Sequence, residues 1–362
     1  MKRPDRKRIT AGLTALALAA GALCGTVTAS AEEQNGMVRS FLTGKQVPAE
    51  IGRKRAISVM YNNIQNALPQ SGIANAEVVY EAPVEGGITR LLGILEDYQD
   101  VERIGSVRSC RNYYVYLGRE FDAFYLHFGQ AVYALDLLNL DSTLNLSGLD
   151  SEGDTVYYRS DDFAAPHNVF TDYNRIQNGI QFKNYSTDYS EAYVNGGGHY
   201  QFAPDDAPVT LENGEPAVVV VPGYEYNNAN FVYNEETGKY SRNQYGGAQI
   251  DYLTGNQLSY DNIILQYCQW QPYDENGYLN IDVLSGGAGK YITRGKAIDI
   301  TWRKDAFNTD DLFASENFGV THYYDADGNE ITLNQGKTWV CIVLDSNSQN
   351  VQLFPDLASY GG

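Results

Sequence analysis

Two short apolar runs, Val-Val-Tyr at 78–80 and Leu-Leu-Gly-Ile-Leu at 91–95, enclose a polar connection carrying Glu81, Glu85, Gly86, Gly87, Thr89 and Arg90. A second charged group, Arg108 and Arg111, stands beyond the second run. Runs of this length and composition predict strands buried in a sheet. Such strands exclude charge from their middles. The charged residues are therefore expected at one rim of the sheet, where loops carry function.

At the N-terminus, Lys2, Arg3, Arg6, Lys7 and Arg8 precede an apolar stretch over 11–23, and Ala29-Ser30-Ala31 offers a small-x-small processing site. This pattern predicts a secretory signal peptide cleaved after Ala31. The stretch is short and rich in Ala and Gly for a bilayer span, and nothing later in the chain predicts a transmembrane helix. Leu23 stands where a lipoprotein signal needs a small residue, so a lipid anchor on Cys24 is not expected. The mature chain is expected to be secreted or associated with the cell envelope.

Over 362 residues, 45 acidic side chains stand against 26 basic ones, a formal net charge of −19. Losing the basic leader makes the chain more acidic still. Such a surface works against nucleic-acid binding. It also gives weight to any local cluster of arginines, because the remainder repels anions. The 29 tyrosines suit an exported β-rich protein, as strand filler or as a carbohydrate-binding face. Cys110, Cys268 and Cys341 are too few for a disulfide scaffold. Cys268 and Cys341 either pair or stay as buried thiols. Cys110 has no histidine near it in sequence to act as a base and reads as a small buried residue.

The expected fold class is α+β. Residues 32–52 read as a flexible lead-in and 53–195 as a layered sheet-and-helix N-terminal domain. Residues 196–214, opened by three glycines, read as a linker, and 215–362 as a mostly antiparallel β domain. The spacing of Tyr114, Leu117 and Phe121 predicts a helix over 111–121 that Ser109 would cap. Helices are also predicted over 130–138 and over 172–178, the latter capped by Thr171. Gly286 to Lys290 imitates a phosphate loop, but Leu284 and Tyr291 occupy positions that need Gly and Ser or Thr. Asp325 to Asn329 imitates a calcium loop but lacks the late glutamate, and reads as a hairpin turn. No cofactor is expected. No metal is expected either, because no H-E-x-x-H or comparable spacing is present.

Candidate groups for chemistry are Glu81, Glu85, His127 and His167. Paired carboxylates can act as acid and base when held at a suitable separation. Alternatively they pair with Arg90, Arg108 or Arg111 in a buried ionic network. Ligand binding is assigned to Arg90, Arg108, Arg111 and Asn168, since guanidinium forks meet oxyanions bidentately. His199 and His322 have no evident partner.

Several motifs together carry a family resemblance. They are Ala56-Ile-Ser-Val-Met-Tyr-Asn62, Pro69-Gln-Ser-Gly72, Val84-Glu-Gly-Gly-Ile-Thr-Arg90, Ile104-Gly-Ser-Val-Arg-Ser109 and Pro166-His-Asn168, followed later by Gly287-Ala-Gly289 and Gly336-Lys-Thr-Trp339. The sequence resembles the YerB-like family of bacterial envelope proteins, many of them lipoproteins, over nearly the whole mature chain. The resemblance implies an α+β architecture of paired N- and C-terminal domains of unknown function, and supplies no reaction. Three functions stay open. One is a protein binding an anionic wall polymer, glycan or envelope partner. Another is an enzyme acting on envelope glycans or phosphate-linked precursors. The third is a scaffold with a buried ionic network.

Overall fold

The computed structural model describes residues 35–304 and 319–361. The predicted signal peptide, its cleavage site and Cys24 lie outside the described residues. The architecture is mixed α+β, built around an 11-stranded sheet. The first half of the chain supplies β1 (Ile57–Asn62), β2 (Val78–Pro83), β3 (Thr89–Leu95), β4 (Phe124–His127) and β5 (Asn145–Ser147). A smaller sheet in the second half includes β6 (Val219–Val221), β7 (Asn230–Asn234) and β8 (Lys239–Gln244). The chain then re-enters the large sheet with β9 (Asn262–Cys268), β10 (Gly287–Thr293), β11 (Lys296–Lys304) and β12 (Thr338–Leu344).

The order across the large sheet is β11-β10-β9-β12-β2-β3-β1-β4-β5, with Glu215–Pro216 and Thr321–Tyr324 added on β11. The halves meet where β12 pairs parallel with β2, Trp339 opposite Val79 and Val340 opposite Tyr80. Alternation then divides the core between the two faces. Tyr80, Ala82, Val340 and Ile342 join one apolar cluster, while Val79, Trp339, Cys341 and Val343 join the other. Central strands of this kind are apolar on both faces, which is why these runs lack polar alternation. At the edge, β11 does alternate, with Trp302 buried between exposed Thr301 and Arg303.

β1, β2, β4, β5, β9 and β12 all run the same way, and β3 runs against them. Their carboxyl ends and the amino end of β3 therefore share one rim. The apparent phosphate loop lies within β10, where a Cβ on Gly289 would stand 2.4 Å from the Leu265 carbonyl. Asp325 closes a turn by accepting from the Asp327 and Asn329 amides.

Several expectations are corrected. The lead-in is folded from Met37 onward: 37–39 pairs with 46–48, and Phe41 and Leu42 are buried in the core. The first part of the stretch 196–214 is packed, with His199, Tyr200 and Ala203 buried and the Ala203 amide bonded to the Leu333 carbonyl at 2.8 Å, while 204–208 is exposed. Helix α1 (Asn112–Arg119) has Arg111, not Ser109, at its N-cap position. The chain at Cys110 pairs with Gln130, and Ser109 instead donates to the Phe128 carbonyl. Helix α2 (Tyr173–Phe182) is capped by Asp172, which accepts from the Arg175 amide at 3.0 Å. Thr171 belongs to a strand and donates to the Val156 carbonyl. The helix expected over 130–138 is a 3-10 turn, Val132–Ala134, followed by one α-turn, Leu135–Leu138. Cys110, Cys268 and Cys341 are buried free thiols.

Candidate functional site

The rim formed by the ends of β1, β3 and β4 gathers the arginines. Arg90 stands at the start of β3, opposite both Asn62 of β1 and Ala82 of β2. It is 7% exposed and donates to the Ser109 carbonyl at 2.5 Å. Burial, with Arg111 and Arg108 close by, pulls its guanidinium down to about 10. Arg108 is half-buried and donates to the Pro166 carbonyl at 3.2 Å. Burial lowers its pKa, and so do Arg111 and Arg159. Arg111 grips Glu85 with both arms of its fork, Nε reaching Oε1 at 2.7 Å and Nη2 reaching Oε2. Burial alone would lower Arg111, but Glu85 reverses that and raises it.

Sequence reasoning missed a fourth member, Arg159. It is exposed, lies over the Phe128 ring, and donates to Asn168 Oδ1 at 2.8 Å. Glu85 is the one carboxylate paired with any of these four arginines among the described residues. His167 borders the cluster, and its Nδ1 accepts from Asn62 Nδ2 at 2.8 Å, which leaves the ring proton on Nε2. Burial and then Arg108 lower its pKa, so it is neutral at pH 7. Arg90, Arg108 and Arg111 thus lie close enough to perturb one another, with Glu85 on Arg111, His167 beside Arg108, and Asn168 on Arg159.

Glu81 and His127 do not join them. Glu81 is fully buried and paired with Arg242 at 2.6 Å, not with Arg90, Arg108 or Arg111. It also accepts from Thr89 Oγ1 at 2.8 Å and Asn227 Nδ2 at 2.9 Å. Arg242 lies 4.8 Å from the Phe231 ring centroid and 4.9 Å from that of Trp339. Nothing in the local sequence signals this pairing, because β8 reaches Glu81 only through the fold.

His127 is equally sealed. Its ring nitrogens bond the Gly129 carbonyl at 2.8 Å and Asn145 Oδ1 at 2.7 Å. Tertiary structure brings it against Cys110, which sequence distance had hidden. Burial would lower its pKa, but Cys110 and the two acceptors raise it to about 9.

A second buried group also escaped sequence reasoning. Glu120, at the end of α1, bonds His199 Nε2 at 2.5 Å, Lys304 Nζ, and the Thr321 amide at 2.9 Å. Burial opposes its charge, but Lys304 and His199 hold it down to about 2. His322 pairs with Glu330. Among the described residues, no cluster of three or more His, Cys, Asp or Glu side chains is arranged to hold a metal. None of their helices is long and apolar enough to cross a membrane.

Comparison with known proteins gives two family matches. The N-terminal domain of the protein of unknown function DUF3048 matches residues 42–186, and its C-terminal domain matches residues 218–340. The chain is 29% identical to "Putative lipoprotein YerB" of Bacillus subtilis (strain 168) over 87% of its own length and 88% of the relative's. It is also similar to the crystal structure of the Bacillus subtilis YerB protein, with a TM-score of 0.74 and 28% identity, covering 87% of this chain and 99% of that one. Matched in both domains, in order and across the shared sheet, the chain belongs to the YerB-like family of paired DUF3048 domains.

Proposed function

We propose that this is an exported, envelope-associated protein that binds an anionic wall polymer, with Arg90, Arg108, Arg111 and Asn168 as the gripping residues. The observation that carries the reading is the arginine cluster itself. Four guanidinium groups, those of Arg90, Arg108, Arg111 and Arg159, perturb or flank one another, and among the described residues Glu85 is the one carboxylate paired with them. In a chain of net charge −19 this is a local reversal of sign. Like charges held together raise the energy of the empty site, and an oxyanion relieves that repulsion. The name of the Bacillus relative, "Putative lipoprotein YerB", supports an envelope location, as does the signal-peptide pattern in residues 1–31.

Geometry favours binding over catalysis. Glu81 and His127 are sealed, and Glu85 is held bidentately by Arg111. That arrangement leaves no open acid–base pair among the four candidates. The test is titration of the mature chain with poly(glycerol phosphate) at low and moderate salt. Arg108→Gln is expected to weaken binding about tenfold and to flatten the salt dependence, since it removes a charge-assisted contact. Undiminished binding by the folded variant would sink the proposal. Loss of stability without loss of binding would instead favour the scaffold.

A further inference from the structure

Beside the arginines lies a group of aromatic rings that neither the core nor the anion site requires. The hairpin of Trp270–Pro272 and Leu279–Ile281 turns through Tyr273 and Tyr278, and this turn rests on the start of α1. Tyr273 stacks on Tyr133, with ring centroids 4.0 Å apart and planes 6° from parallel. Tyr278 meets Tyr133 edge-on at 5.7 Å. The Arg111 guanidinium lies 5.3 Å from the Tyr278 centroid, so the aromatic group adjoins the arginine that holds Glu85. Polar groups fix the rings: Asn112 Nδ2 donates to the Tyr273 hydroxyl at 2.8 Å, and the Tyr133 hydroxyl donates to Asp274 at 2.9 Å. Tyr273 remains 36% exposed.

We propose that these tyrosines form a sugar-stacking subsite, and that the polymer gripped by the arginines is a glycan bearing phosphate or carboxylate. The proposal rests on the anion-binding reading above. Pyranose rings present flat C–H faces that pack on aromatic rings, while their hydroxyls bond amide and carboxylate groups at the edge. Rings already locked by hydrogen bonds and by one another lose little entropy when a ligand docks. Asn112 and Asp274 suit a hydroxyl-rich partner better than an apolar one, and the Arg111 cation on one flank suits an anionic group on it.

The experiment compares three polymers on the mature chain: bare poly(glycerol phosphate), the same chain glucosylated, and hyaluronate. The wild type is expected to bind the glucosylated chain more tightly than the bare one. Tyr273→Ala should weaken the glucosylated chain about three- to tenfold and leave the bare chain unchanged, while Tyr273→Phe keeps full binding. Arg108→Gln should weaken both. A parallel Tyr273→Ala loss on hyaluronate assigns carboxylate as an accepted charge, and its restriction to the phosphate polymer assigns phosphate. No preference of the wild type for the glucosylated chain overturns the sugar subsite and leaves the anion grip standing. Should Tyr273→Ala also lose the bare chain, Tyr273→Leu, which keeps apolar bulk against Tyr133, decides. Full glucosylated-chain binding by that variant overturns the proposal, and its selective loss upholds it. Unchanged binding by Arg108→Gln removes the anion grip instead.

Discussion

At the scale of residues, the molecule treats arginine in two opposite ways. Arg242 is enclosed between Phe231 and Trp339 and compensated by Glu81, itself surrounded by amide and hydroxyl donors. Removing one member of a buried ion pair leaves the other uncompensated, at about 3–5 kcal/mol. Arg242→Met is therefore expected to lower the unfolding free energy by about that amount in urea titrations. An unchanged midpoint would show that Glu81 finds other compensation. Arg90, Arg108 and Arg111, by contrast, face one another at the rim with a single acid among them. The first arrangement stabilises the fold, and the second leaves three cations close together with Glu85 on one of them. Sequence distinguished these roles poorly, because Arg242 lies in a half of the chain remote from Glu81.

Elements follow their local sequence more closely than their caps do. α1 and α2 overlap the helices predicted over 111–121 and 172–178, and β2 and β3 contain the two apolar runs but extend past them to take in Glu81, Thr89 and Arg90. Cap positions depend on where the preceding chain is held. Cys110 is tied to Gln130, which keeps Ser109 away from α1, and Thr171 is held in a strand against Val156, which passes the capping role to Asp172. Replacing an N-cap aspartate costs about 0.5–2 kcal/mol. Asp172→Ala should thus lower the melting temperature by several degrees at most, while Thr171→Val, judged from its hydroxyl bond, acts through the strand. Equal stability of Asp172→Ala and wild type would remove the assigned cap.

For the molecule as a whole, stability is expected to depend on pH from both sides. Glu77, half-buried, and Glu96, buried, are neighbouring carboxyls, the Glu96 amide bonding Glu77 Oε2 at 2.8 Å. Burial raises Glu77 to about 8 and Glu96 to about 7 from ordinary values of 4.5. Their folded values lie above the unfolded ones, so between pH 4.5 and 8 the folded state holds more protons and stability falls as pH rises. The slope is at most about 1.4 kcal/mol per pH unit for each group. Glu120 acts in the opposite sense. Its value of about 2 contributes stability above pH 4.5 that is lost as pH falls toward 2. Glu96→Gln should flatten the alkaline decline in melting temperature between pH 5 and 8, and an unaltered pH profile would contradict the assignment.

The sequence by itself determined the α+β class, the main strands and two helices, the family, and the gathering of Arg90, Arg108 and Arg111 near one rim. The family follows from the motifs, and the other features follow from hydrophobic periodicity and from the tendency of charge to lie at the ends of buried strands, Glu81 within β2 excepted. Tertiary structure alone decided the partners: Arg242 for Glu81, Cys110 for His127, Glu120 for His199, and Arg159 for the arginine cluster. It also decided that the two halves share a sheet through β2 and β12. Burial gives a charged side chain a steep need for a partner but no preference for one near in sequence, so the chain's path through space makes the choice.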